Sequence, residues 1–369
     1  MHPKTYLYFI LFPIYFMPFA SYFILLFFIS FAAISQDTLW TNVETLGIEG
    51  KGFANTEHYY DRLPKEAKNT VREGVWNLSH HSAGMLLRFY TNAPQFFVKW
   101  QLIHSKLELP HIAATGVSGI DMYVLDNANT YLFMGCGIPK TTESTAVFKA
   151  GTQANHSFSY LLNFPLYNGI KTAFIGIPKN YILQKDTIFR AVLPKPVVFY
   201  GTSILQGACA SRAGMSYPSI LGRKLGFSII NLGFSGNAKL EPVMQDILAQ
   251  IDASIYVIDC QLNTTKDETQ AHTEFAIRKI RKAHPKAPII IIEGSNPTKE
   301  FPTEEGKIAY QIIKKLKKEG FKQLYYVEGS NLLGNDTEGT VDLVHPNDLG
   351  HFRYAENLQK IFKKVIRKM

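Results

Sequence analysis

VVFYGTSILQG (197–207) decides how the C-terminal half of this sequence is read. Four apolar residues ending at a glycine read as a buried strand, and the Thr–Ser pair after them opens a turn into a helix. Hydroxyl residues are common at such turns because their side chains cap the next helix. On this stretch alone, Ser203 is a turn hydroxyl. Further apolar runs follow at SIINLG (228–233), SIYVIDC (254–260), PIIIIEG (288–294) and QLYYVEG (323–329). Helix-patterned segments lie between them, among them LEPVMQDILAQI (240–251) and TQAHTEFAIRKIRKAH (269–284). Near-continuous apolar strands alternating with helices predict a parallel sheet covered on both faces.

Ligands of open α/β sheets bind beyond the carboxyl ends of the strands, so the polar residues that follow each strand are the candidates for chemistry. Ser203 follows the first. GFSGN follows the second, with Gly236 in it, and QLNTT follows the third, with Asn263. After the fifth, GTVDLVHPNDLGH carries Asp342 and His345. A serine nucleophile needs a base in hydrogen-bonding reach, and the base needs a partner that fixes its tautomer. Pro346 disfavours a helical conformation at His345, so a turn there lets Asp342 receive one imidazole N–H while the other nitrogen faces Ser203. Developing negative charge on a carbonyl oxygen needs preorganised donors. The amides of Ser203 and Gly236 and the side chain of Asn263 can supply them. Singly, each residue has a plainer reading: Gly236 a turn glycine, Asn263 a helix cap, His345 a loop histidine with His351 as its competitor. Taken in order at successive strand ends, they form one acyl-transfer set.

The blocks GTSI, NLGFSGN, DCQLN and DLVHP resemble, in order, those of the Ser-Gly-Asn-His (GDSL-type) hydrolases. The resemblance implies a flavodoxin-like three-layer α/β domain with about five parallel strands. It also implies Ser203 as nucleophile, His345 as base, Asp342 as orienting carboxylate, and Gly236 and Asn263 as oxyanion donors. GIDMY (119–123) and GKGFANTEHYYDRLP (50–64) are similar to a β-rich domain that precedes the hydrolase domain in a bacterial subgroup. Two positions depart from the pattern. Thr202 stands where the family name has aspartate, and Gln261 stands where a glycine usually precedes the asparagine by two residues. The function implied is a serine esterase removing short acyl groups, acetyl in particular, from a carbohydrate. An O-acyltransferase of the same fold acting on an envelope glycan and a glycan-binding protein with a vestigial site are the alternatives.

The N-terminal half has a different texture. GMLLRFYT (84–91), QFFVKWQL (95–102), GIDMYVLD (119–126), SFSYLLNF (157–164) and KTAFIGI (171–177) alternate in part and are separated by Asn, Gly and Pro turns. They predict an antiparallel sandwich, jelly-roll-like. PKEAKNTVREGV (64–75) is the best helix candidate there. LPKPVV (193–198) marks the boundary, giving a β domain over 36–194 and a hydrolase domain over 195–369. Residues 1–35 are nearly uncharged and apolar and end FFISFAAIS, with small residues at the positions of a signal-peptidase site. They are read as a signal peptide, or an uncleaved anchor, of an exported protein in the periplasm or outside the cell. Membrane contact is expected only through that segment.

Charged residues make up 19% of the chain and apolar ones 46%, as in a globular protein. The net charge of +9 is spread over helix faces, which argues for solvated surfaces and against a nucleic-acid partner. No zinc-type spacing, Walker loop or GxGxxG occurs, so no cofactor or metal is expected. Three cysteines exclude a disulfide scaffold; Cys209 with Cys260 is the one pair considered, against three free thiols.

Overall fold

The computed structural model describes residues 38–150 and 156–369. The leader reading of residues 1–35 lies outside them. In the C-terminal half the five strands predicted from their apolar runs form one parallel sheet. They are β1 (Val197–Gly201), β2 (Ile229–Gly233), β3 (Ile255–Asp259), β4 (Ile289–Ile292) and β5 (Leu324–Val327), in the spatial order β2-β1-β3-β4-β5. This is the flavodoxin-like order, whose reversal point lies beside β1. The helices are α1 (Ser203–Gln206), α2 (Tyr217–Leu225), α3 (Pro242–Gln250), α4 (Lys266–Ala283), α5 (Glu304–Lys318) and α6 (Asp348–Ile366).

Alternation along each strand sends successive side chains to opposite faces. Val198, Tyr200, Ile230, Tyr256, Ile258, Ile289 and Ile291 pack on α3, α4 and α5. Val197, Phe199, Ile229, Val257, Ile290 and Ile292 pack on α2 and α6. Covering both faces is what makes the strands read as unbroken apolar runs. Asp259, at the carboxyl end of β3, is buried between the phenols of Tyr217 (2.8 Å) and Tyr354 (2.9 Å). Burial pushes its carboxyl up to about 6, against the pull of those two hydrogen bonds.

The N-terminal half is a sandwich of two antiparallel sheets. One contains strands 38–42, 170–178, 95–102 and 143–149. The other contains 183–185, 86–91, 156–163, 120–126 and 131–137, with 48–49 added on 86–91. Phe96, Val98 and Trp100 of the first face Phe89, Ile120, Met122 and Leu162 of the second in one core. Trp76 and Trp100 are buried, whereas Trp40 is 40% exposed beside the ring of Phe97.

The residues that alternate away from this core carry the junction. Asp121 and Tyr123 point from the outer face of their strand into the α/β half. Asp121 is fully buried; it accepts from Asn163 Nδ2 (2.8 Å), Arg212 Nη1 (2.7 Å) and the Gly214 amide (2.9 Å). Arg62 is a second buried charge that crosses the junction. Its Nη1 donates to the carbonyls of Asn231 (3.1 Å) and Gly233 (2.7 Å), and Nη2 donates to Leu78 O (2.6 Å). It thereby occupies the outer edge of β2, which would otherwise offer unpaired carbonyls.

The segment around Arg62 corrects one expectation. PKEAKNTVREGV is not a single helix but a 3₁₀ turn at Lys65–Asn69 and a separate helix at Glu73–Ser79. The β-branched pair Thr70–Val71 disfavours continuation. Arg72 then turns extended (ψ 146°) and donates to Asn237 Oδ1 and Asn237 O, each at 2.6 Å. Leu63, Ala67, Val71, Val75 and Trp76 join the core of the α/β half. The three cysteines are free.

Asp121 is the fully buried partner of a partly buried Arg212, and removing it leaves that guanidinium, the Gly214 amide and Asn163 Nδ2 without their acceptor. Asp121→Ala should therefore cost on the order of 3–5 kcal/mol, read as a lowered urea midpoint. Asp259 yields a pH prediction. Its proton is held more tightly in the folded than in the unfolded chain, so its contribution to stability falls as pH rises from about 4 to about 6. Asp259→Asn should lack this component. The stability difference between wild type and variant should shift by roughly 3 kcal/mol across that window, measured by denaturation at a series of pH values; parallel curves would contradict it.

Candidate active site

Ser203 stands at the reversal point of the sheet, as the first residue of α1. Thr202 is its N-cap, accepting from the Ile204 amide at 3.2 Å. A capping hydroxyl thus occupies the position where the family name has aspartate. Ser203 Oγ lies 3.0 Å from His345 Nε2, and His345 Nδ1 lies 2.7 Å from Asp342 Oδ2. The three-residue spacing works because Leu343 between them adopts φ +65°. This turn lets Asp342 Oδ1 accept from the amides of Val344 (3.0 Å) and His345 (2.7 Å) while Oδ2 remains for the ring. Partial burial works against the Asp342 carboxylate. Hydrogen bonds from the His345 amide and ring and the Val344 amide outweigh it and hold the carboxyl at about 2. His351, the competing histidine, is fully buried in α6. It accepts the Tyr217 amide at Nδ1 (3.3 Å) and donates from Nε2 to Ala208 O (3.0 Å). Burial pulls it down to about 4, so it is a neutral packing residue.

Gly236 sits at φ +66° in the turn after β2, a conformation that favours glycine. A Cβ there would meet no protein atom within 4 Å. The glycine is therefore required by its dihedral angle and not by crowding. Asn263 does not cap α4; Thr265 does, in a capping box with Glu268. Instead, Asn263 Oδ1 accepts from the Ala238 amide (3.3 Å), which turns Nδ2 away as a donor. Among the described residues, the amides of Ser203 and Gly236 and Nδ2 of Asn263 have no hydrogen-bond acceptor in the protein. Three donors left unspent beside a serine–histidine pair are what an oxyanion requires. Gln261 is buried, its Oε1 accepts from the Cys260 amide (3.2 Å), and its Nε2 has no partner.

Sequence reasoning missed the residues that hold this site together. Gln206, one turn after Ser203, is fully buried; its Oε1 accepts from the Ser235 amide (3.1 Å). Its Nε2 donates to Leu166 O and to His81 Nδ1, both at 3.0 Å. The carbonyl and amide partners leave only one orientation for the carboxamide. His81 Nδ1 must therefore accept, and its proton resides on Nε2. Burial, with the charge of Arg62 adding to it, lowers His81 to about 3 and keeps it neutral. Tyr167 donates to Ser203 O at 3.2 Å. Both come from the β half, where no motif in the sequence marks them as site residues. A cavity of about 810 Å³ opens beside them, lined by Asn77, His81, His104, Ser105, Tyr167 and Asn237 among others. The relay side chains are not on its wall; it adjoins them through Tyr167 and the Ser235–Asn237 turn that holds Gly236.

Residues 194–363 match the model of the GDSL-like lipase/acylhydrolase family, and residues 38–183 match the N-terminal domain of SGNH-type esterases. A solved GDSL-like lipase from Bacteroides ovatus is 31% identical, with a TM-score of 0.81 over 90% of this chain and 98% of that one. The chain belongs to the GDSL-like lipase/acylhydrolase family. Two more distant structures share the fold of this GDSL-type protein. A salicylyl-acyltransferase from a tetracycline biosynthetic pathway is 16% identical, with a TM-score of 0.70 over 89% of this chain and 97% of its own. An acetyl xylan esterase from the rumen bacterium Butyrivibrio proteoclasticus is 10% identical, with a TM-score of 0.57 over 89% and 98%. No curated protein sequence matches the chain. With Asn263 as an oxyanion donor, Asn263→Ala should lower kcat on a short-chain ester by about 10²–10³-fold with little change in KM. An unchanged kcat would leave Asn263 a brace for Ala238 only.

Proposed function

We propose that this protein is a serine esterase that removes short acyl groups, acetyl foremost, from an acylated carbohydrate outside the cytoplasm. The observation that carries the reading is the Ser203–His345–Asp342 chain of hydrogen bonds beside three unspent N–H donors. In this reading Ser203 Oγ attacks the ester carbonyl as its proton passes to His345 Nε2. The ionised Asp342 orients the ring and stabilises the imidazolium. The oxyanion is received by the amides of Ser203 and Gly236 and by Asn263 Nδ2. His345 then returns the proton to the departing sugar alcohol, leaving an acyl-Ser203 ester, and activates water to release the acid.

The cavity beside Gly236 supports a hydroxylated leaving group. Asn77, Ser105, His104 and Asn237 offer side-chain donors and acceptors along its wall. The neutral His81 adds a donor in a tautomer fixed by Gln206. The carbohydrate ester is chosen by analogy with the acetyl xylan esterase that shares the fold, and the location rests on reading segment 1–35 as a leader.

Ser203→Ala should abolish acetate release from a panel of acetylated oligosaccharides, with an unchanged circular dichroism spectrum. A fluorophosphonate probe should label Ser203 in the wild type alone. Acetate release at the wild-type rate by the variant would refute the assignment. An acylated acceptor formed in place of free acetate, on adding a glycan, would move the reading to acyl transfer.

A further inference from the structure

Two groups of three side chains among the described residues bring ligand atoms within 4.8 Å of one another: His58, Asp61 and His80, and His111, Cys209 and His345. The first is already satisfied. Asp61 spends one oxygen on the His58 amide (2.8 Å) and the other on the His80 ring (2.9 Å). The second contains the base of the relay, together with a histidine and a thiol that the proposed mechanism does not use.

We propose that His111, Cys209 and His345 form a binding site for a zinc ion, which shuts the enzyme off reversibly by occupying the His345 Nε2 lone pair. This rests on the reading of Ser203–His345–Asp342 as the catalytic relay. Two imidazoles and a thiol are a borderline-soft donor set, suited to zinc and unsuited to calcium or magnesium. The outer partner is also in place. Metal-bound histidines usually donate their other N–H to a carboxylate, and His345 Nδ1 already faces Asp342 Oδ2 at 2.7 Å. The hydrogen bonds that make His345 a base therefore also make it a good ligand.

The other two ligands are held in place. His111 rides on a loop of the β half closed by mutual backbone hydrogen bonds between Leu109 and Ile112 (3.0 and 3.1 Å). Its ring centroid is 5.6 Å from that of His345. Ile112 packs beside Cys209 and Ala208, which anchors the loop over the relay. Cys209 adopts φ +62° and is buried. Burial, reinforced by the negative charge of Asp342, pushes its thiol up to about 12, so without metal it stays protonated.

Binding forms zinc–sulfur and two zinc–nitrogen bonds and releases the thiol proton to solvent; the His345 Nε2···Ser203 hydrogen bond is lost. The ion's two positive charges then balance the thiolate and the Asp342 carboxylate. Zinc–ligand lengths place tetrahedral neighbours about 3.4–3.6 Å apart. The contraction from within 4.8 Å falls to the exposed side chain of His111. The fourth position is open to water or to Ser203 Oγ, 3.0 Å from the same Nε2.

The test uses the full chain, stripped of metal with a chelator. Cobalt(II), as a spectroscopic stand-in for zinc, should give a thiolate-to-metal charge-transfer band that disappears in Cys209→Ser. Zinc should inhibit turnover of a short-chain ester, with full recovery on adding EDTA. His111→Ala and Cys209→Ser should each raise the half-inhibitory zinc concentration on the order of tenfold or more. Zinc-insensitive turnover, absence of the cobalt band, or inhibition unchanged in both variants would overturn the inference. Failure of the esterase reading looks different: no ester turnover in the metal-free wild type.

Discussion

The carboxamide of Gln206 is the constraint on which the site depends. It sits one turn after Ser203 and makes three hydrogen bonds that no other side chain there duplicates. One tethers the turn carrying Gly236 through Ser235; the other two tether the β half through Leu166 and His81. A buried amide must satisfy its donors and its acceptor, so the three partners can move only together. The short helix with Ser203, the turn carrying Gly236 and the cavity wall are thereby locked into one relative position. The cost of leaving any of these buried groups unpaired, ~1–3 kcal/mol each, is what preorganises the site before substrate arrives.

Two buried charges extend the constraint across the junction. Asp121 holds Arg212 and Gly214, in the segment between α1 and α2, while Arg62 holds the edge of β2. Each originates in a block that looks from the sequence like a mark of the β domain, yet each makes its bonds in the α/β half. Asp121 does so through an ion pair with Arg212, and Arg62 through backbone carbonyls, so neither can be lost without leaving buried polar groups unpaired. Residues of the β half therefore line the cavity beside Ser203 together with residues of the α/β half. Tyr167 and His81 reach the site from loops of the β half, which these charges hold against the α/β half.

The legibility of the chain follows the range of the interactions involved. The five parallel strands were readable because both of their faces are buried, which leaves an unbroken apolar run. The sandwich strands were readable because they alternate. Ser203, Gly236, Asn263, Asp342 and His345 were readable because the sheet delivers the ends of its strands to one edge, so order along the chain becomes proximity in space. The break at Thr70–Arg72 was only partly readable: the β-branched pair weakens the helix there, but the turn is fixed by Asn237 and Glu241, far along the chain. Asn263 could not be told from a helix cap until Thr265 was seen to cap α4 in its place.

Local sequence alone determined the element types, the layer order and the identity of the chemical groups, because periodicity and turn chemistry act within a few residues. Tertiary structure alone decided that Gln206 fixes the His81 tautomer and that Leu343 turns Asp342 back onto His345. It also decided that His111 and Cys209 share the space around the relay base. The first and last of these outcomes depend on contacts between segments far apart in the chain, as with Gln206 and His81, and the Leu343 turn on a left-handed backbone that its residue type does not announce. No local pattern carries that information: a side chain's proton and partners are set by whatever the fold packs against it.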